Sequence, residues 1–186
     1  MVSLVDLWIP IVFSAVLVFA ASSLVHMVFK WHNSDYRKLA NEDDVRVAIR
    51  SSNPQPGQYV IPHCADMKDM GKPEMLQKFQ EGPVGLLTLR PACTPSMGRP
   101  LGLWFALNVV VALAAGYLAS RTVPFGASFL AVCRVVGIVT FLAYACGGVT
   151  QAIWMGKPWN SAAKEGLDAF VYGLVSAAAF GWLWPR

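Results

Sequence analysis

The thirteen residues "HCADMKDMGKPEM", His63 to Met75, gather one histidine, one cysteine, three methionines and three carboxylates. Imidazole, thiolate and thioether together suit a soft ion such as Cu(I), which makes His63, Cys64, Met67 and Met70 candidate metal ligands. Their spacing follows neither a paired CxxC nor an HExxH pattern. Met67 and Met70 stand three apart, and Met75, Leu76 and Phe79 continue at helical spacing, as on a packing face. Methionine commonly fills irregular apolar gaps, so packing outweighs metal binding here. The other cysteines add no chemistry. Cys93 lies in the same polar stretch, while Cys133 and Cys146 are too far apart on one apolar run to bridge each other. No CxxCH haem motif occurs, and no cofactor is expected.

A second set of reactive residues sits inside or beside apolar stretches: Asp6, Arg134, Asp168 and Tyr172. Arg134 falls about 10 Å into its run at 1.5 Å per residue. A guanidinium that deep in hydrocarbon costs roughly 2.5 to 3.5 kcal/mol, so it pairs, snorkels or lines a polar path. By depth its candidate partner is Asp6. Asp168, with Tyr172 four residues on, belongs to the opposite end, where a carboxylate in the first turns of a helix is favoured by the helix dipole. As a set these four are candidates for a substrate or ion pathway.

The elements that must position these groups are apolar helices. Hydrophobic residues make up 55% of the chain and charged residues 14%, against about 25% charged in soluble domains. Crossing a bilayer takes roughly 20 apolar residues as a helix. Four stretches qualify as transmembrane helices: residues 7–29, 101–120, 128–154 and 161–185. All seven tryptophans lie at or just beyond the ends of these runs, as in an interfacial aromatic belt. The first run lacks the basic leader of a signal peptide and is expected to stay in the mature protein.

Residues 30–100 form the polar middle. Between Lys30 and Arg99 lie ten basic and eight acidic residues, too balanced for a nucleic-acid surface. "NEDDVRVAIR" predicts a short helix capped by Asn41. "QYVI" and "VGLLTL" predict short strands that can form a two-stranded sheet. "PEMLQKFQEG" between them predicts a helix opening at Pro73 and closing at Gly82. The predicted fold is thus an all-α integral membrane protein of four transmembrane helices with a small mixed α/β segment between the first two.

Seven Lys and Arg near the span ends (Lys30, Arg37, Lys38, Arg90, Arg99, Lys157 and Lys164) fall on one side, against Arg121 and Arg186 on the other. The positive-inside rule then places residues 30–100 in the cytoplasm and both termini outside, in the plasma (inner) membrane. Small residues at four-residue spacing (Ala112 and Gly116; Ala143 and Gly147; Gly173, Ala177 and Gly181) predict close helix packing. They also allow a homo-oligomer or a larger membrane complex. The lipid bilayer is the one partner the composition requires.

No GxSxG, Walker loop, GxGxxG or HExxH supports an enzyme. Three functional classes follow. The leading expectation is an accessory, assembly or scaffold component. The second is a small oligomeric transporter or channel using the polar residues of the spans. The third is a metal-binding or redox protein acting through His63–Met75.

Overall fold

The structure, a computed structural model, describes residues 2–186. The chain divides into two compact units: residues 2–36, 96–152 and 157–186 in one, and 37–95 with 153–156 in the other.

The first unit is built from four helices, each long and apolar enough to cross a bilayer. The first runs Val5–Phe29 and changes pitch twice. It opens with a 3₁₀ turn at Val5–Leu7, continues as the α-helix Trp8–Ser23 (α1), and widens into a π-type turn over Leu24–Phe29. That last turn closes with Lys30 N–H on the Val25 carbonyl at 3.2 Å. Lys30 then takes a left-handed conformation, φ 53°, and reverses the chain into a short 3₁₀ turn, Trp31–Asp35. The other three long helices of this unit are Gly98–Thr122, Phe129–Met155 and Trp159–Leu183. Each lies within a turn of the apolar stretch that predicts it. The last helix starts after Pro158, whose fixed φ suits a helix entry.

Packing follows from where the small and apolar residues fall. The buried positions of α1 are Pro10, Ile11, Ser14, Ala15, Val18 and Ser22, at the three- and four-residue spacing of one helical face. This face meets both Gly98–Thr122 and Trp159–Leu183. The helix Trp159–Leu183 is the most enclosed, with half of its apolar window buried against 22–33% for the others. Its Gly173 approaches Gly137, and its Gly181 lies against Phe129 and Cys133. Gly116 faces Phe180 and Ile11, where a Cβ would stand 3.1 and 3.3 Å away.

The apolar core occupies one end of the bundle. Leu7 and Ile11, Ala115 and Ala119, Val132 and Val136, and Phe180 and Trp184 form a single buried cluster. The Trp184 indole N–H donates to the Pro124 carbonyl at 3.0 Å, and Gly126 N–H to that of Pro185, closing this end. The charged cluster of His32, Asp35, Lys164 and Asp168 lies at the opposite end.

The second unit contains α2 (Glu42–Ser51), β1 (Gly57–Ile61), α3 (Pro73–Glu81) and β2 (Gly85–Leu89). The long helices following it are α4 (Gly98–Thr122), α5 (Phe129–Met155) and α6 (Trp159–Leu183). The strands pair antiparallel with Gly57 opposite Leu89 and Ile61 opposite Gly85. Gly82 ends α3 at φ 64°, a conformation that favours glycine. Asn41 precedes α2 without a side-chain capping bond. No residue from 37 to 95 is buried. Two strands and two short helices enclose too little apolar surface for a core.

Candidate functional site

The polar end of the first unit is assembled from the tail of α1, the turn after it, and the first three turns of α6. The wide turn Leu24–Phe29 carries His26, and π-type turns recur at functional positions because they re-aim a side chain. The reversal at Lys30 then brings His32 back against His26: their rings lie parallel within 8°, centroids 4.8 Å apart.

His32 is held at both nitrogens. Nδ1 lies 2.8 Å from Asp35 Oδ2, and Nε2 lies 2.8 Å from Asp168 Oδ2 on α6. His26 Nδ1 lies 2.9 Å from the Ser22 carbonyl, which can only accept, so this nitrogen carries the proton. That leaves His26 Nε2 facing Asp168 Oδ2 at 3.9 Å. Asp168 is thus shared by two imidazoles. It is 3% exposed, and its second oxygen, Oδ1, has no hydrogen-bond partner in the protein.

A lysine clamps the arrangement. The Lys164 ammonium donates to Asp35 Oδ1 at 2.7 Å, Ser34 Oγ at 2.7 Å and the Trp31 carbonyl at 2.9 Å. Its three N–H groups are therefore all used, and the turn Trp31–Asp35 is fastened to α6. The Lys164 ammonium, with His32 adding to it, holds the Asp35 carboxyl down at about 2, against an ordinary 3.8. One turn along, Lys157 pairs with Glu165. Gly148 permits that pair, because a Cβ at this position would run into the Glu165 carboxylate. Three carboxylates thus face two ammonium groups here.

Beside this cluster is a cleft of about 460 Å³ whose lining includes His26, Asp168, Tyr172, Tyr144, Trp104 and Gly147. Trp104, Tyr144 and Tyr172 form a triangle of rings with centroids 5.3 to 6.3 Å apart. Each of two ring donors is anchored: Trp104 Nε1–H on Ser22 Oγ and Tyr144 O–H on Asn108 Oδ1, both at 2.8 Å. A second recess of about 320 Å³ adjoins it, with His26, His32, Asp35 and Glu165 among its walls. The volumes are those of small-ligand sites.

The structure brings together only part of the sequence-predicted pathway set. Asp168 and Tyr172 share a buried face of α6 and line the same cleft. Among the described residues no ion pair joins Asp6 to Arg134. Arg134 is exposed, beside a groove lined mostly by apolar residues such as Leu130, Ile138 and Phe141. Of the proposed metal ligands, Cys64 donates its S–H to the Asp66 carbonyl, and Met67 is 76% exposed. Among the described residues, the group of His, Cys, Asp and Glu close enough to share an ion lies elsewhere: His26, His32 and Asp168, with ligand atoms within 4.8 Å of one another.

The small-residue faces also divide. Ala112, Gly116, Gly173, Ala177 and Gly181 are buried. Ala143 and Gly147 are exposed along the cleft, and the buried positions of α5 are Val132, Val136, Thr140, Ala145, Gly148 and Ala152. His26, His32, Asp35 and Lys164 are absent from the sequence-predicted site. One signal for them existed: the up-down path that places Lys30 and Asp168 at the same end puts "HMVFKWHNSD" there as well. Comparison with known proteins finds no matching protein family, no similar curated protein and no similar solved structure.

Proposed function

We propose that this chain is a multi-pass membrane protein of the small transporter or channel class, and that it handles cations at the polar end of its bundle. The observation that carries this reading is Asp168: a carboxylate 3% exposed on an apolar helix, with one oxygen unpartnered, in the wall of a 460 Å³ cleft. An ionisable side chain at that position on a membrane-crossing helix is costly, and it persists where it is paired, as Asp168 Oδ2 is with His32, or where it contacts a permeant or bound ion, as the free Oδ1 would. The unpartnered Asp168 carboxylate oxygen in the cleft wall is a ligand for a cation rather than for an anion. The basic residues near the helix ends support an inner-membrane topology with Lys30 to Arg99 in the cytoplasm, so that the cleft faces the cytoplasmic side.

Purified protein in liposomes, loaded with dyes for protons, Na⁺, K⁺ and divalent cations, tests this. At least one of these cations should cross faster than in empty vesicles, and Asp168→Asn should cut that flux at least tenfold. Equal fluxes with and without protein, or an unaltered Asp168→Asn, reject the reading.

One observation favours a scaffold role as a second reading. Residues 37–95 bury no side chain, yet they expose Val47, Met67, Leu76 and Val84. Apolar faces of that kind suit coverage by a partner protein. Purification from native membrane should then yield a stoichiometric companion; recovery of the chain alone under mild detergent speaks against it.

A further inference from the structure

We propose that His26, His32 and Asp168 bind a divalent first-row transition-metal ion. This names the class of cation for the cation site proposed above, and it rests on that reading only for the link to transport.

Two imidazoles and one carboxylate are the donor set that Zn²⁺ and Fe²⁺ share, and a three-ligand set leaves coordination positions open for water or a further ligand. The second layer of contacts matches what such a centre requires. A metal-ligating histidine presents one nitrogen to the ion and donates the other N–H to a carboxylate or a backbone carbonyl. Both arrangements are present: His32 Nδ1 at 2.8 Å from Asp35, and His26 Nδ1 at 2.9 Å from the Ser22 carbonyl. Each bond turns the Nε2 of its ring toward Asp168. The carboxylate that both rings face is buried, and its Oδ1 has no partner in the protein. Lys164 in turn fixes Asp35, so the support extends one contact further out.

The distances are close to those of a loaded site. Ligand bonds of about 2.1 Å in a tetrahedral site put donor atoms about 3.4 Å apart. The His32 Nε2 to Asp168 Oδ2 separation is 2.8 Å and that from His26 Nε2 is 3.9 Å, on either side of this value. One adjustment is needed. The two rings are parallel and 4.8 Å apart, so an ion in the plane of one is out of the plane of the other. His26 is the ring that turns: its side chain is 52% exposed, whereas that of His32 is 15% exposed and bonded at both ends. The alternative occupant of the same geometry is a proton, with His32 as an imidazolium clamped between Asp35 and Asp168. That arrangement leaves His26 without a role, and this difference makes the proposal testable.

The full chain, purified in detergent and stripped with chelator, is dialysed against Co²⁺ or Zn²⁺ and assayed for bound metal and for the visible absorption of Co²⁺. We expect one ion per chain. His26→Ala and Asp168→Asn should weaken binding at least tenfold, and Asp35→Asn about 10- to 100-fold through the orientation of His32. His63→Ala should bind like the unsubstituted protein. His26→Ala is the decisive variant because its half-exposed ring hydrogen-bonds only the Ser22 backbone carbonyl, and circular dichroism should show its helices intact. The proposal is overturned if the folded protein takes up no stoichiometric Co²⁺ or Zn²⁺ at micromolar concentration. It is equally overturned if His26→Ala binds as tightly as the unsubstituted protein, or if binding is lost with His63→Ala instead. The two readings fail separately: metal binding without any cation flux removes the transport role and keeps the site, while flux without metal binding removes the site and keeps the transport role.

Discussion

Replacing Gly173 by alanine should loosen the contact between α5 and α6, whereas the same change at Gly147 should not. A Cβ built on Gly173 stands 3.0 Å from the Gly137 carbonyl oxygen and 3.4 Å from Phe141 Cβ. A carbon–oxygen contact of this kind ordinarily sits at about 3.3–3.6 Å, so the helices must part by a few tenths of an ångström. The Gly137 oxygen belongs to backbone and cannot swing aside as a side chain can. Overpacking of this sort costs about 1–3 kcal/mol. Exchanging glycine for alanine inside a helix gives back about 1 kcal/mol, in both variants alike. A methyl group on Gly147 would meet no atom within 4 Å, so the propensity gain stands alone there. The two variants should therefore differ by about 1–3 kcal/mol, with Gly147→Ala the more stable. Unfolding in mixed micelles by titration with a denaturing detergent, followed by tryptophan fluorescence, measures the gap. Equal stabilities for the pair would refute the claim that backbone contact at Gly173 joins these helices.

Further outcomes follow from other contacts. Gly147→Leu should fill the cleft and abolish cation flux while leaving the chain at least as stable as the parent, because leucine shares the helix propensity that alanine gains there. Ser176→Ala removes the buried 2.9 Å hydrogen bond from Ser14 Oγ and should cost about 0.6 kcal/mol in the same micelle assay. Asp35 is held near 2 in the folded chain against an ordinary 3.8, so its contribution is full above about pH 4 and is lost as pH falls toward 2. Lys164→Met should shrink that acid-limb loss in a pH series of unfolding midpoints. Cys93 is exposed, and on the proposed topology a membrane-impermeant maleimide should label it in inverted vesicles but not in intact cells.

Much of the architecture is legible from local composition. An apolar run of spanning length has few options besides a helix, because every backbone group must find its partner within the segment. The turn residues Pro73 and Gly82 bound α3 for equally local reasons, fixed φ at one end and positive φ at the other. Periodicity was a weaker guide to faces. Ala143 and Gly147 repeat at the same spacing as Gly173 and Ala177, yet one pair borders a cleft and the other a neighbouring helix. Spacing reports that a face is smooth; what lies opposite is not written in it. In the same way, the matching depth expected for Arg134 and Asp6 brings no ion pair between them among the described residues.

Local sequence dictated that four long apolar helices would form, with ends within a turn of those observed, and that Asp168 would fall near the end of the bundle that follows Lys30. Tertiary structure alone decided that Asp168 would meet His32 across 136 residues of chain, with His26 stacked alongside. The physical reason is one of range. Helix formation depends on hydrogen bonds and side chains a few residues apart, whereas a site made of α1, a left-handed turn at Lys30 and α6 exists only once helices distant in sequence have packed.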